Sequence, residues 1–154
     1  MTDVTSMIFV ASLSSYNLVL KEDRSQNQLD ESIHLFRNIL DKPWFKKMPI
    51  LLFLNKQDLF EDKIKSQEFK LERYFPDFEG FTNQPDSRYA VAEDADEELT
   101  CGKSFLKDKF LNTSSFQAKR YGHCYSHFTC ATDTQSIKRV FNNCREYLIP
   151  RANL

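Results

Sequence analysis

Ile50-Leu51-Leu52-Phe53-Leu54 runs directly into Asn55-Lys56-Gln57-Asp58. Five apolar residues in a row, with no polar alternation, read as a strand covered on both faces, which is the signature of a parallel sheet. Two further runs have strand length: Met7-Ile-Phe-Val-Ala-Ser-Leu13 and Cys124-Tyr-Ser-His-Phe-Thr129. Between them lie helical patterns. Leu29, Ile33, Phe36 and Leu40 recur at spacings that make one helical stripe, and Pro43 closes it. A short helix is expected from Asp58 to about Lys65 and a longer one over Lys103–Leu111. Ile137, Val140, Phe141, Cys144 and Leu148 form a last stripe, with Asp133 or Thr134 at its start and Pro150 at its end. Strands alternating with helices predict an α/β fold with a doubly wound parallel sheet. The stretch from Phe75 to Glu98 is rich in Pro, Asn, Asp and Glu, and residues 79–100 read as a flexible acidic insert.

Composition narrows the function classes. The 154 residues hold three glycines, Gly80, Gly102 and Gly122, where average usage gives about ten. A glycine-rich phosphate loop needs two or three glycines within about eight residues, so this stretch does not cradle a triphosphate in that way. Lys plus Arg number 21 and Asp plus Glu 22, a formal charge of −1, so no nucleic acid is recruited by net charge. No apolar run approaches the roughly 20 residues that cross a membrane. The first residues carry neither a signal pattern nor an acylation motif. Cys101, Cys124, Cys130 and Cys144 form no C-x-x-C pair and read as reduced thiols. His123, Cys124, His127 and Cys130 are close in sequence but fit none of the usual zinc spacings, and no metal site is expected. Phe36, Phe53, Phe110 and Phe141 are expected in the core, and His34 as a packing or surface residue.

Ligands of doubly wound sheets bind beyond the carboxyl ends of the strands, which is where Asn55-Lys56-Gln57-Asp58 falls. An N-K-x-D there matches the chemistry of guanine. Guanine offers N1–H and N2–H₂ as adjacent donors, and the Asp58 carboxylate can accept both; adenine has no such pair. The Asn55 amide can donate to N7 and tie neighbouring loops together. The Lys56 stem can lie over the base with its ammonium in water. Gln57 is the variable position and is expected to face away. A second element, Thr129-Cys130-Ala131-Thr132, follows the third strand. The Ala131 N–H can donate to guanine O6, flanked by Cys130 and Thr132. Two other matches fail on context. Gly102-Lys103-Ser104 resembles the end of a Walker A loop, but the required earlier glycine is Glu97. Asp77-Phe-Glu-Gly80 has D-x-x-G spacing but lies downstream of N-K-x-D and reads as a turn.

N-K-Q-D with Leu59-Phe60, then T-C-A-T-D, resembles the α subunit of heterotrimeric G proteins. Ser14–Asp23 is similar to the switch III segment of that family, Tyr74-Phe-Pro-Asp77 to the segment after the base loop, and Tyr125–Ala131 to the last strand. Ile137–Glu146 and the acidic stretch before Lys103–Leu111 resemble the stimulatory (Gs) class most. The resemblance covers roughly residues 3–149. It implies that residues 1–154 are the C-terminal part of a partial P-loop-NTPase-like (Ras-like) domain: three C-terminal strands with flanking helices.

The resemblance also implies a GTP/GDP switch that passes receptor signals to adenylyl cyclase, with a βγ dimer, a G protein-coupled receptor and the cyclase as partners. Asp41–Met48 then matches the cyclase-contacting region, with Trp44 and Phe45 as anchors. Arg145 and Tyr147 lie on the receptor-facing helix. Location at the inner face of the plasma membrane follows through lipidated partners, the isolated stretch itself reading as cytosolic. The family's P-loop, helical domain, switch I and switch II have no counterpart in these residues, nor do its Mg²⁺ ligands. The expectation is a guanine-recognition half that does not hydrolyse GTP alone; the alternative is a short isoform acting as a receptor or effector binding module.

Overall fold

The structure, a computed structural model, describes residues 6–45, 48–81, 97–111 and 124–130, together with 135, 138, 139 and 142. Three strands, β1 (Met7–Ser12), β2 (Ile50–Asn55) and β3 (Cys124–Phe128), form one parallel sheet in the order β1-β2-β3. The register sets Met7 against Ile50 and Ser12 against Asn55, then Ile50 against Cys124 and Leu54 against Phe128. Helix α1 (Gln28–Leu40) links β1 to β2. Helices α2 (Gln57–Lys65), α3 (Leu71–Tyr74) and α4 (Glu97–Leu111) lie between β2 and β3. This is the expected α/β alternation, with β2 in the centre and Ile50 to Leu54 all buried.

The period of two sorts the side chains by face. Ala11, Ile50, Leu52 and Leu54 join the main core, with Met7, Phe9, Cys124 and Phe128 packed against it. Leu51 and Phe53 form a second cluster with Tyr125 on the opposite face. On β1 that second face shows Ile8 and Val10, 43% and 58% exposed. Helix α1 starts at Asn27, whose side chain accepts from the Leu29 and Asp30 amides at 2.9 and 3.1 Å. Its stripe, Leu29, Ile33, Phe36 and Leu40, is buried as the spacing requires. Phe36 lies between strand and helix, 5.0 Å from the Phe9 ring and 5.7 Å from Phe110 of α4. These tilted and edge-on pairs seat α1 and α4 side by side on the sheet. His34 is exposed, near Asp30.

Helix α4 begins at Glu97, six residues before the expected Lys103, and takes in part of the stretch read as an acidic insert. Glu97 and Glu98 occupy its first turn, where carboxylates oppose the positive end of the helix dipole. Charge density alone gave those residues the look of a loop. Residues 82–96 and most of the expected C-terminal helix, with Phe141, lie outside the described residues. Gly102 and Lys103 sit inside α4, and Pro76–Gly80 forms a 3-10 turn, so both rejected phosphate motifs have non-phosphate settings.

A 3-10 turn at Leu13–Asn17 follows β1. Its Tyr16 is fully buried, with edge-on contacts to Phe60 and Tyr74. The Tyr16 hydroxyl donates to the Phe69 carbonyl at 2.5 Å. Burial raises its pKa well above the ordinary phenol range. Lys63 of α2 donates to the Ser14 carbonyl and to Asn17 Oδ1, at 2.6 and 2.7 Å, which pins α2 to this turn.

Two packing consequences are measurable. Phe36→Ala empties the centre of the aromatic cluster and is expected to cost about 3–5 kcal/mol, read as a lower urea midpoint. The second concerns Lys107, which is buried and has its pKa held down to about 8 by burial, from 10.5. Above the folded value the unfolded chain keeps more protons, so this site adds stability as pH rises. Cys124 acts in the opposite sense: burial pushes its thiol up to about 12, from 9.0, so its contribution is lost as pH climbs beyond that ordinary value. Stability should therefore rise between about pH 8 and pH 9, level off, and fall above about pH 10, where the raised Tyr16 phenol adds its own loss. Lys107→Met should flatten that rise in urea titrations; an unchanged slope would contradict the assignment.

Candidate functional site

The site lies where β2 and β3 end side by side. Leu54 pairs with Phe128, so the next residues, Asn55 and Thr129, stand level. Thr129 continues the ladder: its amide donates to the Leu54 carbonyl at 3.0 Å, and its carbonyl accepts from the Gln57 amide at 3.1 Å. Its hydroxyl donates to Asn55 Oδ1 at 2.9 Å, and Thr129 is 2% exposed. The tie between loops expected of Asn55 is thus present, and Thr129 is its partner. Sequence reading began the second element's contacts at Cys130 and missed Thr129. The signal was its position in register, which only strand pairing supplies.

Lys56 turns the chain from strand into helix. It has φ 59° and ψ 39°, the left-handed region, and is exposed. That conformation costs a non-glycine residue roughly 1–2 kcal/mol. The turn sends Gln57 back toward Thr129 and starts α2 at once, with Asp58 in its first turn. Gln57 Oε1 accepts from Lys103 Nζ of α4 at 2.9 Å. Its side chain is engaged with that helix.

Asp58 is half-buried, and its Oδ1 is fully buried with no hydrogen-bond partner among the described residues. A buried acceptor left unmade costs about 1–3 kcal/mol, more for a charged group. The carboxylate stands just beyond the carboxyl end of a parallel strand, where ligands of such sheets bind. Cys130 is half-buried and is a free thiol. Ala131 and Thr132, expected on the other side of the base, lie outside the described residues, as do Arg145 and Tyr147. Trp44 and Phe45 fall in the 3-10 turn Pro43–Phe45, and Phe45 is half-buried. Cys124 packs with the main core, whereas His127 lies on the opposite face against Phe53, with ring centroids 6.3 Å apart. Their odd spacing on a strand separates them, and the His127 pKa is lowered, chiefly by burial.

A family model for the G-protein alpha subunit matches residues 1–148. The chain belongs to the G-protein alpha subunit family. It is 47% identical over 152 residues to the guanine nucleotide-binding protein G(s) subunit alpha of Homarus americanus, covering 99% of this chain and 39% of that protein. Against the G(s) subunit alpha of Drosophila pseudoobscura pseudoobscura the identity is 46% over 153 residues, covering 99% and 39%. Against that of Lymnaea stagnalis it is 43% over 152 residues, covering 99% and 40%. The chain thus spans about 40% of the length of these relatives. Among the described residues of this α-subunit chain, no helix is long and apolar enough to cross a membrane.

The strained turn gives a direct test. Lys56→Gly accepts the left-handed conformation freely and should leave stability unchanged or raise it by up to about 1 kcal/mol. Lys56→Val, β-branched, should lower it by about 1–3 kcal/mol. Urea denaturation of both variants checks the order.

Proposed function

We propose that this chain is the guanine-recognition part of a Gs-like α subunit with a P-loop-NTPase-like sheet. The observation that carries the reading is Asp58 Oδ1, a buried acceptor lacking a donor among the described residues. Guanine supplies N1–H and N2–H₂ side by side, and the carboxylate accepts both. Because Asn55 Oδ1 is occupied by Thr129, its amide nitrogen is the end left to donate, which suits guanine N7. The exposed Lys56 lays its stem over the ring. Cys130, Ala131 and Thr132 form the opposite wall, with the Ala131 N–H on O6. The 154 residues contain no glycine-rich phosphate loop, so base recognition, not hydrolysis, is the contribution of this stretch.

In the whole protein this recognition serves a GTP/GDP switch that carries receptor signals to adenylyl cyclase from the inner face of the plasma membrane. Supporting this are the G(s) subunit alpha relatives at 43–47% identity. A βγ dimer is the third partner, Trp44 and Phe45 face the cyclase, and Arg145 and Tyr147 face the receptor. Phosphate and Mg²⁺ would be held by residues that have no counterpart here.

Equilibrium dialysis of the purified chain with guanosine, adenosine and xanthosine tests the base reading. Guanosine should bind in preference to adenosine. Asp58→Asn should weaken guanosine roughly 10- to 100-fold and favour xanthosine, whose C2 carbonyl meets the new amide donor. Equal binding of guanosine and adenosine, or an Asp58→Asn variant that binds guanosine normally, would refute the proposal.

A further inference from the structure

We propose that Lys103 is a positioning residue for the base loop, holding it from α4 through Gln57; the functional part of this inference rests on the guanine reading above. Lys103 Nζ donates to Gln57 Oε1 at 2.9 Å and lies 5.4 Å from the centroid of the Phe128 ring. One half-buried ammonium therefore touches the first residue of α2 and the last residue of β3. Those are the two elements whose ends build the site. Cation–π contact and a charge-assisted hydrogen bond both strengthen away from bulk water.

Gln57 stands between the left-handed Lys56 and the receiving Asp58. Its main-chain N–H is fastened to Thr129 of the β3 end, and its side chain to α4. Fixing Gln57 from two directions holds the turn on either side of it. Guanine recognition asks nothing of the residue between Lys56 and Asp58, and the contact with α4 assigns that residue its work. The neighbouring Gly102 is buried where α4 packs on α2 and α3. A Cβ there would lie 3.4 Å from Phe60 Cζ and Leu71 Cδ2, in ordinary van der Waals contact. Gly102-Lys103, which imitates a phosphate loop in sequence, is a helix-packing pair: Gly102 lies against Phe60 and Leu71, and the lysine reaches across.

The test compares wild type, Lys103→Met, Lys103→Arg and Gln57→Leu in the full 154-residue chain. Amide hydrogen exchange without nucleotide is read at Gln57 and Phe60, with Ile33 of α1 as reference. Lys103→Met should speed exchange at Gln57 and Phe60 about 5- to 10-fold, leave Ile33 unchanged, and weaken guanosine binding by about the same factor. Lys103→Arg, which keeps both donor and cation, should restore exchange and binding. Gln57→Leu should loosen the loop to the same degree while leaving Lys103 on Phe128, and it supplies the comparison if Lys103→Met does not fold. Unchanged exchange at Gln57 and Phe60, or a rise shared equally by Ile33, overturns the positioning role. If the loop loosens as expected but the wild type shows no preference for guanosine, the mechanical role stands and the base reading falls. If guanosine binding depends on Asp58 while neither Lys103→Met nor Gln57→Leu changes loop exchange, the positioning role alone falls.

Discussion

Strand β2 is paired along both edges and buried on both faces, and that constraint organises the rest of the molecule. A strand in this position spends its backbone groups on two ladders and its side chains on two cores. Chemistry can appear only where the ladders stop, at the carboxyl end. Asn55 is the first residue of β2 to escape full burial. Everything polar in the candidate site follows within three residues of it or from the strand end beside it.

The transition out of β2 is abrupt because Lys56 takes the left-handed conformation. A wider loop would carry Asp58 away from the β3 end. The tight turn instead places Asp58 in the first turn of α2, where the helix dipole favours its charge, while Gln57 meets Thr129. The surrounding aromatic packing makes such a turn sustainable. Tyr16, Phe60 and Tyr74 lock the 3-10 turn, α2 and α3 together, and Phe9, Phe36 and Phe110 lock α1 and α4 to β1. Strain in one residue persists when its neighbours are over-determined. Scarcity of glycine fits this picture: even the left-handed Lys56 is not glycine.

Much of the fold was legible. The unbroken apolar run of β2, the four-membered stripe of α1 and the break at Pro43 each depend on local pattern, and the structure has them where the pattern puts them. The start of α4 was not legible, because Glu97 and Glu98 look like loop residues until they are seen in a first helical turn. The partnership of Asn55 with Thr129 was half legible: the asparagine was expected to tie loops, but its partner is 74 residues away in sequence and is chosen by register. Lys103 was read as a helix start and as a false phosphate motif, not as a partner of Gln57, since that contact crosses from one helix to the start of another.

From sequence alone came the parallel α/β architecture, the position of the N-K-x-D turn at the end of a buried strand and the chemistry its side chains offer, because hydrophobic period and residue type are local properties. Tertiary structure alone decided that Asp58 Oδ1 is sealed from solvent without a partner among the described residues, that Thr129 stands opposite Asn55, and that α4 reaches the turn through Lys103. Burial, register and helix packing are properties of segments brought together across the fold, and no window of the sequence contains them.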